Sequence, residues 1–234
     1  NPLTEQAMLR SGDARFTAAD FAEALANYAK ILEKPGDPRI EEETLYRMAV
    51  TYHNMKSYDD SAATFRKLLE KFPEGMYAVE AHFRIGEYEL RQHKDPLKAI
   101  EAYQAALNKD KAGTFTVRAM QGLASARYEQ KDFEQAASQL LQLLRDHPGE
   151  ALTLDAYLWC SQWLREQERW ADAAAMYTAL LQAYPNYEER AGLLFILGEC
   201  QEKTGDTDKA IKTYTEALTL APDGQRAIEI YYHL

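Results

Sequence analysis

Five histidines, His53, His82, His93, His147 and His233, are the residues that would most readily ligate a metal or move a proton. No two lie three or four residues apart, and none is joined by a cysteine or paired acid at metal-ligand spacing. They read as surface or groove residues. Cys160 and Cys200, the only two cysteines, fall inside apolar helical patterns, where a free thiol behaves as a small hydrophobe. A disulfide would need their Cα atoms within about 7 Å, and nothing in the spacing demands one. No Ser-His-Asp set, Cys-His pair or glycine-rich phosphate loop stands out. The acidic runs Glu41-Glu42-Glu43 and Asp59-Asp60 belong where helix ends and solvated faces carry acid. Trp159, Trp163 and Trp170 are spaced for packing rather than for a cofactor. The expectation is a protein with no catalytic residues, no cofactor and no metal, and so not an enzyme.

Composition limits the elements that could carry any other function. Of 234 residues 46% are hydrophobic, with only 11 glycines and 8 prolines, and Ala, Leu, Glu, Lys and Gln are abundant. These residues lose little entropy in a helix, so the chain should be all-α. A formal charge of -10 repels phosphate backbones and forfeits the counterion release that drives nucleic-acid binding. Anionic membrane surfaces are disfavoured likewise, and no apolar run approaches the roughly 20 residues of a membrane-spanning helix. The opening Asn-Pro-Leu, with no initiating Met or signal segment, and the close at Tyr231-Tyr232-His233-Leu234 in mid-helix suggest a piece of a longer chain.

One segment type recurs six times: an aromatic or apolar residue, a small residue three places on, and a large apolar one four further. The copies are Phe21 to Tyr28, Tyr58 to Phe65, Pro96 to Tyr103, Phe133 to Leu140, Trp170 to Tyr177 and Thr207 to Tyr214. The small residues Ala24, Ser61, Ala99, Ala136, Ala173 and Ala210 are separated by 37, 38, 37, 37 and 37 positions. Upstream of each copy lies a second amphipathic stretch, such as Leu45 to Tyr52 or Leu194 to Gly198, so each unit is two helices, A then B. The small residue lets the two approach, with Gly86 and Gly198 expected to do the same on helix A. The large residue, Tyr28, Phe65, Tyr103, Leu140, Tyr177 or Tyr214, should fill the gap to the next hairpin. Pro35, Pro73, Pro148, Pro185 and Pro222 end helix B, with Lys111 and Ala112-Gly113 standing there in the third unit. The one extra residue falls in Arg91 to Asp95.

The pattern resembles the tetratricopeptide repeat (TPR) family over nearly the whole chain. The resemblance implies a right-handed α-solenoid of six helical hairpins plus a C-terminal helix. The repeats fall at about 3–36, 40–74, 77–111, 115–149, 151–186 and 188–222, and a terminal helix at 224–234 is either a cap or half of a seventh unit. The family's period is about 34, so these units carry about three extra residues between helix B and the next helix A. That longer form is similar to bacterial cell-envelope members, which implies a periplasmic or envelope location, with the cytoplasm as the alternative.

In the family, helix A positions that project inward form the binding surface. Here they are Tyr46, Val50, His53, Arg84, Tyr88, Gln121, Ser125 and Tyr128, then Leu158, Gln162, Arg165, Phe195, Glu199 and Glu202. Aromatic and Arg side chains are the types that anchor partners, against which stands the reading that Tyr46, Tyr128 and Phe195 only pack between helices. The Lys and Asn clamp by which some members hold C-terminal carboxylates is absent: those places read Leu9, Tyr46, Arg84, Gln121, Leu158 and Phe195, then Asp13, Val50, Tyr88, Ser125, Gln162 and Glu199. The function implied is a non-catalytic scaffold binding a peptide or partner protein in an envelope or secretion assembly. The alternative is a regulatory or substrate-presenting arm of a larger enzyme. Self-association through exposed solenoid ends is a further expectation.

Overall fold

The computed structural model describes residues 2–110, 113–222 and 227–233, and all regular structure among them is helical. The chain divides into two compact units, residues 1–131 and 132–234. The first holds α1 (Pro2–Thr17), α2 (Phe21–Glu33), α3 (Pro38–Asn54), α4 (Tyr58–Lys71), α5 (Ala78–Arg91), α6 (Pro96–Lys109) and α7 (Thr116–Glu129). The second holds α8 (Phe133–Asp146), α9 (Leu154–Glu166), α10 (Trp170–Ala183), α11 (Arg190–Lys203), α12 (Thr207–Leu220) and α13 (Ala227–His233). Within each unit helices pack as successive hairpins, α1 with α2, α3 with α4, α5 with α6, α9 with α10 and α11 with α12, which is α-solenoid architecture. The positions 111, 112, 223–226 and 234, on which parts of the third repeat's end and of the terminal helix were placed, lie outside the described residues.

Helix B stops where proline dictates. α2, α4, α8, α10 and α12 each end two residues before Pro35, Pro73, Pro148, Pro185 or Pro222. The intervening residues Lys34, Phe72, His147, Tyr184 and Ala221 have φ between -124° and -150° and ψ between 64° and 73°. The proline ring clashes with a helical residue before it and forces that extended geometry. The extra residues of the long period form turns of their own: the Gly75 N–H donates to the Phe72 carbonyl and the Ala78 N–H to the Gly75 carbonyl, a pattern repeated at Tyr184, Tyr187 and Arg190. Helix starts are capped by side chains where the sequence supplies them, Asp37 before Pro38 and Asp95 before Pro96 among them.

The hairpins lock through rings set against glycines. Tyr28, Phe65, Tyr103, Leu140, Tyr177 and Tyr214 are all buried. On helix A the facing ladder is Gly12, Ala49, Gly86, Ala124, Ser161 and Gly198, with the same single one-residue offset. A Cβ on Gly86 would lie 2.7 Å from the Tyr103 ring, and one on Gly12 or Gly198 would overlap Tyr28 or Tyr214. Gly122 of α7 faces the other side of Tyr103, so this ring is wedged between its own hairpin and the next. The helix A glycines therefore admit a ring rather than a close backbone crossing, which corrects the expectation for Gly86 and Gly198. Where Ser61 replaces alanine, its buried hydroxyl donates to the Ala49 carbonyl at 2.8 Å.

Neighbouring hairpins of the first unit are also joined by buried acid. Glu5 accepts the Asp37 N–H at 3.3 Å and Glu42 accepts the Tyr77 N–H at 3.1 Å, each at the start of the next helix A. Gly36 and Gly75 leave the space that these carboxylates occupy.

Each A-to-B turn ends helix A with one left-handed residue: Ala19, Lys56, Lys94, Lys131, Glu168 and Gly205, at φ between 56° and 81°. Around Lys56 the Ser57 N–H reaches back to the Tyr52 carbonyl and the Lys56 N–H to that of His53, a Schellman closure, and the turns at Ala19, Glu168 and Gly205 repeat it. Only the last uses glycine, and each L-residue here bears a cost of roughly 1–2 kcal/mol. Lys56→Gly and Lys131→Gly should each raise unfolding free energy by about 0.5 kcal/mol, and Gly205→Ala should lower it by about 1 kcal/mol, read from urea denaturation midpoints. Burial pushes the pKa of Cys160 up to about 12 and that of Cys200 up to about 11. At pH 8 neither should react with an aromatic disulfide reagent until denaturant is added.

Candidate functional site

In the first unit the A helices are tied to one another by a ladder of polar side chains. Arg47 of α3 lies 3.5 Å from the Asp13 carboxylate of α1, and Asp13 accepts the Tyr28 hydroxyl at 2.7 Å. Tyr46 donates its hydroxyl to Glu80 of α5 at 2.8 Å. Arg84 pairs with Glu80 and with Glu87, each at 3.2 Å, and Glu87 meets Arg118 of α7 at 3.5 Å. Arg118 also stands 4.6 Å from the centre of the Phe83 ring. The pairs around Arg84 are part-buried, with Glu80 and Glu87 mostly shielded from water, so they fix where each charge stands.

A cleft of about 290 Å³ opens beside this ladder. His53, Arg84 and Tyr88 line it, together with Tyr58, Glu87, Arg91 and Arg118. His53 meets Tyr58 edge-on at 5.5 Å, and the Tyr88 hydroxyl is held by Asp59 at 2.7 Å. Among the described residues Arg91 makes no ion pair. The cleft is thus an aromatic-walled notch with three guanidinium groups, one of them uncommitted.

The remaining sequence-derived positions are placed differently. Tyr46 is half-buried, stacked on Tyr77 at 4.1 Å, and burial followed by its bond to Glu80 pushes its pKa up to about 12. Val50 packs against the core of α3 to α6. Ser125 and Tyr128 are exposed on α7, and the Ser125 hydroxyl donates to the Gln121 carbonyl at 3.0 Å. In the second unit Arg165 and Glu199 approach to 3.9 Å and line a second cleft of about 290 Å³ with Glu166, Trp170 and Lys203. Gln162 is exposed and bonds Glu166, Leu158 is half-buried, and Glu202 accepts the Tyr214 hydroxyl at 3.1 Å. Phe195 is only 6% exposed and tilted against Tyr214, which favours the alternative that it packs between helices.

Sequence reading missed Arg118, Glu87, Arg91 and Tyr58, which reach the first cleft from positions not assigned inward, and took Trp170 for packing alone. It also found no acid at ligand spacing around any histidine. The structure corrects that: Glu89, one turn before His93 on α5, and Asp95, two residues after it, bring one ligand atom each within 4.8 Å of the others. The i, i+4 relation of Glu89 and His93 was the available signal.

Partial burial, and after it the Arg84 guanidinium, hold the His53 pKa below the usual 6.5, with Glu87 pulling weakly the other way. Its folded value lies below its unfolded one, so the imidazole's contribution to stability is present above about pH 6.5 and is lost as pH falls through the folded value. Imidazole proton shifts should show His53 titrating below 6.5, and Arg84→Gln should move it upward.

The profile of the tetratricopeptide repeat matches residues 46–114, 122–188 and 162–225. No curated protein matches the chain. Several solved structures share its fold. PilW, a type IV pilus biogenesis factor, is 16% identical with a TM-score of 0.54, over 97% of this chain and 98% of its own. The Pseudomonas aeruginosa protein pilF is 16% identical with a TM-score of 0.56, over 98% and 97%. YrrB, described as a TPR protein with an unusual peptide-binding site, is 15% identical with a TM-score of 0.55, over 88% and 97%.

Proposed function

The chain belongs to the tetratricopeptide repeat family, and we propose that it is a non-catalytic scaffold whose A helices capture a peptide or a partner protein. The observation that carries this reading is the cleft of the first unit, where Tyr58, Tyr88, Arg84, Arg91 and Arg118 combine apolar area with planar donors. Those side-chain types supply most of the energy at protein interfaces. The ladder of ion pairs holds the Arg84 and Arg118 guanidinium groups in place before a partner arrives, which lowers the entropy lost on binding. Arg165 and Trp170 form a second surface of like chemistry in the second unit.

The arginines favour a partner segment bearing carboxylates, since a fork of N–H donors matches a carboxylate in two bonds. The placement we favour is a bacterial envelope or secretion assembly. The 37-residue period supports it, and a type IV pilus biogenesis factor is among the proteins that share the fold. No helix among the described residues is long and apolar enough to cross a membrane.

Crosslinking and co-purification from the source cells would identify the partner. With it in hand, a variant carrying Arg84→Ala, Tyr128→Ala and Arg165→Ala together should lose at least about tenfold in affinity, as expected when anchor residues are truncated. Its melting temperature should stay close to that of the parent, because the three side chains reach the surface. Undiminished capture by this variant would remove the helix A assignment.

A further inference from the structure

The third A-to-B turn is the place where the repeat runs to 38 residues instead of 37. The extra residue lengthens the closure after α5: the Asp95 N–H reaches back to the Glu89 carbonyl at 2.8 Å and the His93 N–H to the Tyr88 carbonyl at 3.1 Å. The loop that results folds His93 back over helix α5. Its Nδ1 lies 2.7 Å from Glu89 Oε2, and its ring lies nearly parallel to that of Tyr88, 6.1 Å away. Glu89 is only 3% exposed, an unusual position for a carboxylate, and Asp95 stands at the start of α6.

We propose that Glu89, His93 and Asp95 form a binding site for a divalent transition cation of the zinc class. One imidazole and two carboxylates are the donors that such ions accept, whereas calcium takes six to eight oxygens and magnesium a near-octahedral oxygen shell. The three ligand atoms lie within 4.8 Å of one another, so side-chain shifts of about an ångström would bring them to the separation that a tetrahedral zinc shell needs. The ion would take the place of the proton between His93 Nδ1 and Glu89.

Two positive groups now compensate the carboxylates, Arg66 against Glu89 and Lys98 against Asp95. Their side chains are 47% and 56% exposed, so both can turn to water when a cation arrives. Asp95 meanwhile keeps its cap on the Lys98 N–H through Oδ1, which leaves Oδ2 for the ion. Occupied, the site would staple the end of α5 to the start of α6, beside Tyr88 of the first cleft.

Titration calorimetry of the whole metal-stripped chain with zinc chloride should show one ion bound per chain and a rise in melting temperature. His93→Gln and Asp95→Asn, the second of which preserves the helix cap, should each lose about tenfold or more in zinc affinity with unchanged circular dichroism. Magnesium chloride should bind far more weakly. Absence of zinc binding to the parent chain, or zinc binding that both variants retain in full, would overturn the assignment.

Discussion

A tyrosine ring pressed between two glycines is the constraint on which the described packing turns. Tyr103 has Gly86 on its own hairpin and Gly122 on the next helix, and neither position tolerates a side chain without moving the ring. A buried aromatic contributes a large apolar area, and its shape fixes the separation of the helices that close on it. Because the same contact recurs at Tyr28 with Gly12 and at Tyr214 with Gly198, hairpins of similar geometry form far apart in the chain. The small residues of helix B, from Ala24 to Ala210, complete the fit from the other side.

The hairpin pattern was legible because its determinants are local and repeated. Alanines in register, a large residue one turn later and a proline two places past the helix end are each visible in the sequence, and each has one structural outcome. The glycine ladder was harder to read. It contains Ala49, Ala124 and Ser161 as well as glycine, so only the ring opposite each position shows what the space is for. The left-handed turn residues were hidden altogether, since Lys56, Lys94, Lys131 and Glu168 carry no local sign of the conformation that the helix closure imposes on them.

The candidate surface was legible in part, for a reason that lies in side-chain length. Register says which residues of helix A face inward, but it does not say how far a guanidinium travels. Arg91 and Arg118 reach the first cleft from assigned flanks, while Phe195, assigned inward, turns down into the core beside Tyr214. Tyr46 shows an intermediate case, with its ring in the packing and its hydroxyl on the polar ladder. The scaffold reading therefore leans on a smaller set of groups than periodicity alone suggests, and those groups are held by Glu80, Glu87 and Asp59.

The carboxylates of Glu5 and Glu42 bear on how the molecule comes apart. A helical array usually unravels hairpin by hairpin, because each is held only by apolar contact with its neighbours. Here a buried acid of one hairpin satisfies the backbone that begins the following one, so detaching either leaves an ion and an amide without partners in a poorly solvated place. At the equivalent positions of later repeats stand Val79, Val117, Leu154 and Ala191, which can form no such tie. The N-terminal hairpins are thereby coupled through carboxylate and backbone as well as through apolar contact, whereas in the second unit the comparable tie is made by a cation, Arg190, whose guanidinium donates to the Leu181 carbonyl at 2.9 Å.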